Sequence, residues 1–498
     1  MSTRELTLTD NDSSNKGTST VLKLTEASLD ITAGTSNTST RRQSSGSRLP
    51  FLGSKASTTV TQVPLRNVVA ATTSSDVIEV SYLARKSPRH GLSLIRVKGS
   101  LGDKDSRLAK QWCEAAMTAA YGGRSPSKKL KVLINPRGGR GQACSIFTDK
   151  VEPILSAAGC ILDVTYTTHP NHAMEIAQDL SLDTDTVVVV SGDGLIHEVL
   201  NGLSKHGQPD KAFCVPIAPI PAGSGNGLSL NLLGLQDGLD PRAAALNVLK
   251  GHPLKVDLFA FTQGNQKRLS FMSQTVGLMA DIDIETEHLR WMGDLRFVLG
   301  FLRSVVTLPT CKMELSIKLA EQDKMKMANA VRARRAGLSS DIPVVPLSPP
   351  LDDTHDPGSP GDTWIKYDKP CLWVYAGKGP YVSRSLMQFP VSQPDDGVID
   401  IAIQEIISRK DLLASMDGAD KGRCYWYNTN RYFKASAYSV KPHAQSRGVL
   451  VVDGELFPMQ EFHVEVLPCL GTLLSPFPYY APEFTFDEES GTKLKQES

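Results

Sequence analysis

The chain has almost no charge of either sign to spare: 54 Lys and Arg stand against 53 Asp and Glu, a formal net charge of +1. A nucleic-acid binder normally carries a basic excess, so the balance argues against that class of partner. No uninterrupted apolar run reaches the roughly 18 residues of a spanning helix. The N-terminus, MSTRELTLTDNDSS, lacks the hydrophobic core of a secretory signal, and neither a myristoylation start nor a prenylation box is present. Eight cysteines occur without any C-x-x-C pair, which fits reduced thiols in the cytosol rather than a disulfide framework or a zinc site. G-x-x-x-x-G-K-[ST] is missing, and so is the H-R-D and D-F-G set of protein kinases. The expectation is a cytoplasmic protein that meets membranes peripherally.

A chain of 498 residues exceeds the usual size of one hydrophobic core, so two globular domains with accessory segments are expected. Residues 1–60 read as disordered, because the first 50 contain 20 Ser or Thr and few large apolar groups. Arg41-Arg42-Gln43-Ser44 would suit a basophilic protein kinase. Residues 61–127 form a partly ordered extension, with a strand at 77–82 and a helix near 106–121. From 128 to 254 apolar strands (130–136, 161–167, 186–191, 214–221) take turns with helices (142–158, 171–180, 195–206, 241–250). That rhythm is the signature of a doubly wound parallel α/β sheet. From 255 to 478 many short β-runs predict a mostly antiparallel β-sandwich, interrupted by one amphipathic helix over about 284–308. A flexible insertion is expected at 321–362, with Arg332, Arg334 and Arg335 solvated, and a loose tail at 479–498.

Three glycine-rich turns each follow a predicted strand: Asn135-Pro136-Arg137-Gly138-Gly139, Ser191-Gly192-Asp193-Gly194 and Pro221-Ala222-Gly223-Ser224-Gly225-Asn226. In a doubly wound sheet the carboxyl ends of strands line one crevice, where ligands sit. Glycine lets backbone amides approach a phosphate, and the helix N-termini behind such turns favour negative charge.

Ser191–Glu198 with Val199-Leu200-Asn201-Gly202 resembles the nucleotide-site motif of sphingosine kinases, within the group of diacylglycerol and NAD kinases. Asn135–Gly139, Pro221–Asn226, Gly277–Glu287 and Val452–Glu455 match the same family in the same order. The resemblance covers about 129–470 and implies an ATP-dependent lipid kinase with a nucleotide domain, a lipid domain and a cleft between them. It makes Asp193 the general base that accepts the lipid hydroxyl proton; a local reading makes Asp193 the cap of its own helix. It assigns the nucleotide to Asn135, Arg137, Thr167, Asn171, Gly192, Gly194, Glu198, Gly223, Ser224, Gly225, Arg290, Arg296, Asp453, Gly454 and Glu455. Mg²⁺ would arrive with the phosphate through Glu455 and its neighbours, although no metal ligand set is read from the sequence. Locally, Asp453-Gly454 reads as a hairpin turn.

The lipid head falls by resemblance to Ser191, Asp193, Asp283 and Glu287. A carboxylate at 283 would pair with the ammonium of a sphingoid base. Asp281, two residues before it, would share its face on a strand. Phe297–Leu308 reads as core, as a lipid-tunnel wall, or as a calmodulin-type target over 296–308. Ceramide and diacylglycerol kinases stand as alternatives on the substrate. A catalytically dead lipid-sensing scaffold stands as the alternative on activity, and the intact Gly192-Asp193-Gly194 argues against it.

Overall fold

The computed structural model describes residues 4–9, 19–34, 59–74, 77–101, 106–292, 295–337, 364–443 and 448–484. They belong to two compact units, Met1–Lys128 with Glu152–Ile161, and Lys129–Val151 with Leu162–Ser498.

In the first unit seven antiparallel strands follow the order Thr59–Pro64, Ser28–Gly34, Ser19–Leu24, Arg4–Thr9, Leu92–Ser100, Val77–Arg85, Val68–Ser74. This corrects the expectation of disorder over 1–60 for residues 4–9, 19–34 and 59–60. Leu6, Leu8, Leu22, Leu29 and Ile31 recur at a period of two and are buried, whereas Glu5, Thr7 and Thr9 stay exposed. Threonine suits the outer face of a pleated strand, so periodicity outweighs a polar composition. Residues 10–18 and 35–58, including the Arg41–Ser44 motif, lie outside the described residues. The expected helix is Ser106–Tyr121; its Tyr121 hydroxyl donates to the Val69 carbonyl at 2.7 Å.

The second unit carries the parallel sheet. Lys129–Ile134, Thr186–Ser191 and Ile217–Pro221 pair in parallel, and Ile161–Tyr166 follows outside the first of them. The order reverses between Lys129–Ile134 and Thr186–Ser191, which is the switch point where a crevice opens. Phe462–Ser475 then adds beside Ile217–Pro221 and pairs antiparallel with His252–Gln263. One sheet of 15 strands thus runs from the parallel part into the antiparallel part. Phe259, Ile317, Ile401, Tyr438 and Val464 are among the buried residues that its antiparallel strands enclose. The two lobes share apolar packing as well, since Leu254, Val256, Phe271 and Met272 join the core built on Val187, Leu195 and Val199.

Four local readings change. A helix at Gly227–Asp237, apolar on nearly every side, was not expected. The single helix over 284–308 is instead Leu278–Glu285, a 3₁₀ segment Glu287–Met292 and Leu295–Thr307. The run from 269 to 280 turns from strand to helix at Gly277, where φ is +87° and a Cβ would lie 2.2 Å from Cys311 Sγ. Only glycine makes that turn. Asp281 and Asp283 therefore sit on a helix, about 200° apart around its axis, and do not share a face.

The insertion is also structured at its start, as Lys324–Arg335 forms a docked helix. Asp323 caps the Met325 and Lys326 amides, Lys324 Nζ donates to the Tyr427 and Asn430 carbonyls, and Arg334 forks onto Asp395. Arg334 and Arg335 are thus drawn into packing, while Arg332 stays exposed as expected, and Met327 and Ala328 are buried on the same helix. Residues 338–363 lie outside the described residues. The tail starts packed: Tyr480 is buried and Phe484 stacks on Trp426 at 5.7 Å.

Buried charge fixes the segment that enters the site wall. Lys378 follows strand Cys371–Gly377, and its Nζ donates to Asp257 (2.5 Å), Asp396 (2.5 Å) and the Val398 carbonyl (2.6 Å). Burial opposes its charge, yet the carboxylates of Asp396, Asp257 and Asp400 hold its pKa above the ordinary lysine value. Replacing Lys378 by Met leaves buried carboxylates without their cation. The expected loss is roughly 3–5 kcal/mol of folding free energy, read from the shift of a urea unfolding midpoint.

Candidate active site

The three glycine turns meet backbone to backbone. A Cβ on Gly223 would lie 2.2 Å from Gly192 Cα, one on Gly192 2.5 Å from the Gly225 carbonyl, and one on Gly139 2.7 Å from the Ala222 carbonyl. These glycines are glycines because three strand ends converge with no room between them. Gly194 differs: a Cβ there would meet nothing within 4 Å, so its open side faces the cavity. Asn135 holds the first turn by accepting from the Arg137 amide at 3.0 Å, and Asn226 holds the third through the Gly223 amide and carbonyl.

Asp193 opens the Asp193–Leu203 helix, but its carboxylate caps a later one. Its carboxylate accepts from the amides of Gly227 (2.7 Å) and Leu228 (3.1 Å), the first residues of Gly227–Asp237. The local expectation has Asp193 capping its own helix; these two bonds carry its carboxylate to another. Such bonds fix the carboxylate beside the Ser224 turn, on the wall of the cavity described below.

Two polar contacts clasp the lobes around this floor. The Asp453 carboxylate is fully buried and accepts from the amides of Phe271, Met272 and Ser273 at 2.7–3.0 Å. His197 Nδ1 gives it a fourth bond at 2.9 Å. Burial opposes the charge of His197, but the bond to Asp453 outweighs it and raises the pKa. Asn201, one turn further along the helix, exchanges two bonds of 2.9 Å with the Leu269 backbone. Asp453 is expected on the nucleotide; four donors use its carboxylate, and the residue also borders the cavity described below. The Asp453-Gly454 turn, with both φ positive at +49° and +85°, joins Val449–Val452 to Glu455–Pro458 as the expected two-residue hairpin.

A cavity of about 950 Å³ opens over the turns. Its wall includes Asn135, Arg137, Thr167, Ser191, Gly192, Asp193, Gly194, Glu198, Gly223, Ser224, Gly225, Arg296, Asp453, Gly454 and Glu455, so one space gathers most of the residues expected from the sequence. Asn171 is not part of that wall; it is exposed, with φ +65°, ahead of helix His172–Gln178. Glu198 is half-buried and accepts from the Ala173 amide at 3.1 Å; burial pushes its pKa up, while the amides of Asn171 and Ala173 pull the other way. The side chains of Asp283, Glu287 and Arg290 lie outside the described residues. Asp281 is half-buried, with its pKa raised by burial and then by Glu285.

The far half of the same cavity is apolar, walled by Met279, Ile282, Val298, Phe301, Trp373 and Tyr375. Val298 and Phe301 belong to Leu295–Thr307, which therefore does line the cavity, while Leu299, Leu302 and Val306 of that helix are exposed. Arg384, Gln388, Gln404 and Asn430 also border the cavity, and no sequence signal points to them. They come from strands and loops with no motif, and only the fold brings them to the wall. Among the described residues no group of three His, Cys, Asp or Glu could hold a metal ion by itself. No described helix is long and apolar enough to cross a membrane.

A glycine-turn phosphate floor continuous with an apolar pocket defines a nucleotide-dependent lipid kinase. Residues 129–261 match the diacylglycerol kinase catalytic domain, and residues 12–122 match a domain of unknown function (DUF7493). Sphingoid long chain base kinase 4 of Schizosaccharomyces pombe is 32% identical over 420 residues, spanning 83% of this chain and 88% of that protein. Sphingosine kinase 1 of Homo sapiens is 29% identical over 353 residues, 68% of this chain and 89% of the human one. A solved structure of a putative diacylglycerol kinase from Bacillus anthracis aligns with 70% of this chain and 97% of its own, at 19% identity and a TM-score of 0.48. The chain belongs to the sphingoid long chain base kinase family.

The glycines separate packing from binding. Gly223→Ala forces the turns apart and is expected to lower the thermal midpoint, at roughly 1–3 kcal/mol, and to remove nucleotide binding. Gly194→Ala should melt like the parent and still weaken ATP binding, since its methyl projects into the cavity. Calorimetric melting and ATP titration of both variants check this.

Proposed function

We propose that the chain transfers the γ-phosphate of ATP to the primary hydroxyl of a sphingoid long-chain base. The observation that carries this is the single cavity with glycine turns and Asp193 at one end and an apolar wall at the other. ATP phosphates would lie on the amides of Gly192–Gly194 and Gly223–Gly225, at the N-termini of Asp193–Leu203 and Gly227–Asp237. Asn135, Arg137, Thr167 and Ser224 border that end, and Arg296 offers a buried cation against the charge that builds on the moving phosphoryl group. Asp193, held by two amides, accepts the hydroxyl proton as the lipid oxygen attacks.

Of the two helix aspartates, position 283 follows the cavity-lining Met279 by one turn, whereas 281 falls on the other side. Asp283 is therefore our choice for the ammonium of the base, with Glu287 one further turn along the chain. A Mg²⁺ ion would neutralise phosphate charge when bound. Glu455, exposed beside Gly454 on the cavity wall, is the carboxylate able to reach it, because Asp453 is already saturated. That donor set fits an ion that keeps most of its waters and rides on the nucleotide. A peripheral approach to the bilayer follows from the substrate.

Labelled ATP offered with dihydrosphingosine, ceramide and diacylglycerol tests the reading. We expect phosphate on the free base, with ceramide and diacylglycerol lower by at least about tenfold. Asp283→Asn should raise KM for the base by roughly ten- to a hundredfold, the worth of one charge-assisted contact. Preferred labelling of diacylglycerol, or an unchanged KM, would contradict it.

A further inference from the structure

The catalytic chemistry leaves the first unit without a role, and its charge is unlike that of the rest of the chain. Residues 1–128 hold 18 Lys and Arg against 10 Asp and Glu, so that segment carries +8 while the other 370 residues carry −7. The excess persists in its described part, where 12 basic residues face 5 acidic ones. A near-neutral total hides a strongly divided molecule, and such division points to a charged partner for one part.

Sheet register locates the excess. Arg96 and Lys98 lie within a strand and are taken up by Glu79 at 3.7 and 2.8 Å. Four other cations gather at one end of the sheet. Arg66 belongs to the Leu65–Asn67 turn, which is tied to the adjoining strands by Leu65 N donating to the Ala27 carbonyl (3.1 Å) and Asn67 Nδ2 to the Leu83 carbonyl (3.0 Å). Arg85, Lys86 and Arg89 lie on the hairpin between Val77–Arg85 and Leu92–Ser100, so the two connections are neighbours. Arg66, Lys86, Arg89 and the adjacent His90 are exposed. The hairpin is shaped from within: Arg85 Nη1 donates to the His90 carbonyl (2.8 Å), and Ser87 Oγ meets His90 Nδ1 at 2.7 Å. Glu26, in the neighbouring turn, is a single opposing charge among the described residues of these connections.

We propose that this end of the first unit is an electrostatic docking surface for an anionic lipid bilayer, which brings the kinase to the membrane that holds its substrate. The inference rests on the lipid-kinase reading for its purpose and on charge for its chemistry. Lys and Arg are drawn to an anionic leaflet within about a Debye length, roughly 8 Å at physiological salt. The net-negative remainder is repelled by that surface, so attachment falls to the basic end. A nucleic-acid partner is disfavoured because the aromatic rings of this end, Tyr82 and Tyr121, are buried and offer no face for base stacking.

The test uses the full chain, sedimented with vesicles of phosphatidylcholine alone or of phosphatidylcholine with phosphatidylserine. The parent should bind only the mixed vesicles and lose binding as salt rises. Each basic side chain near such a surface contributes roughly fivefold. The triple variant Arg66→Gln, Lys86→Gln, Arg89→Gln should therefore bind roughly a hundredfold more weakly, with unchanged transfer to base dispersed in detergent. Equal binding of parent and variant, equal binding to neutral vesicles, or tighter binding to single-stranded RNA than to either vesicle would overturn the proposal. Vesicle binding is read without turnover, so its failure and failure of the kinase reading are told apart.

Discussion

Burying a carboxylate is costly unless every lone pair finds a donor, and the Asp453 carboxylate finds four. Three are consecutive amides of the antiparallel lobe and the fourth is His197 from the nucleotide lobe. That one group therefore sets where the 271–273 segment lies against helix Asp193–Leu203. The Asn201–Leu269 exchange repeats the clasp one helical turn on, and Asn231 repeats it again with the Tyr381 amide and carbonyl. With these contacts in place the cavity has fixed walls, and the apolar half stands in register with the glycine floor.

The floor obeys a different constraint. Where strand ends converge, side chains are excluded by sterics, and the atoms left facing the crevice are backbone amides. Gly139, Gly192 and Gly223 serve that packing, and Gly194 alone of the central pair faces open space. Asp193 links the two constraints. By capping Gly227–Asp237 it aligns the third turn with the second, and the same carboxylate is placed at the edge of the cavity. The proposed proton transfer adds a second reason, beside capping, for an aspartate rather than a simple cap such as serine between two glycines.

Much of this was legible in the sequence because its signals are local. Alternating apolar strands and helices marked the parallel sheet to within a few residues, and Thr186–Ser191 and Pro241–Lys250 fall where they were expected. The three turns and the hairpin at Asp453 follow from glycine chemistry. What stayed hidden depends on distant partners. Helix Gly227–Asp237 begins with glycine and takes its cap from a residue 34 positions earlier, which no local rule detects. The strand-to-helix switch at Gly277 has a positive φ and leaves no room for a side chain against Cys311 and Leu372, which lie far along the chain, and the placement of Asp281 and Asp283 changed with it. In the N-terminal segment composition misled, because alternate leucines among threonines are a strand pattern. Lys324–Arg335 looked solvated because its anchors, Asp395 and the Tyr427 carbonyl, lie far along the chain.

The account turns on Asp193 acting on the proton as well as on the fold. Its most direct test is Asp193→Asn, which keeps an oxygen acceptor for a capping amide and removes the base. Single-turnover phosphate transfer to dihydrosphingosine should fall by roughly 10²–10⁴, measured well below the thermal midpoint. The fold itself loses roughly 1–3 kcal/mol, because the Asn NH2 faces one of the two capping amides. Transfer at the parental rate would contradict the account, since Asp193 would then be a helix cap and nothing more.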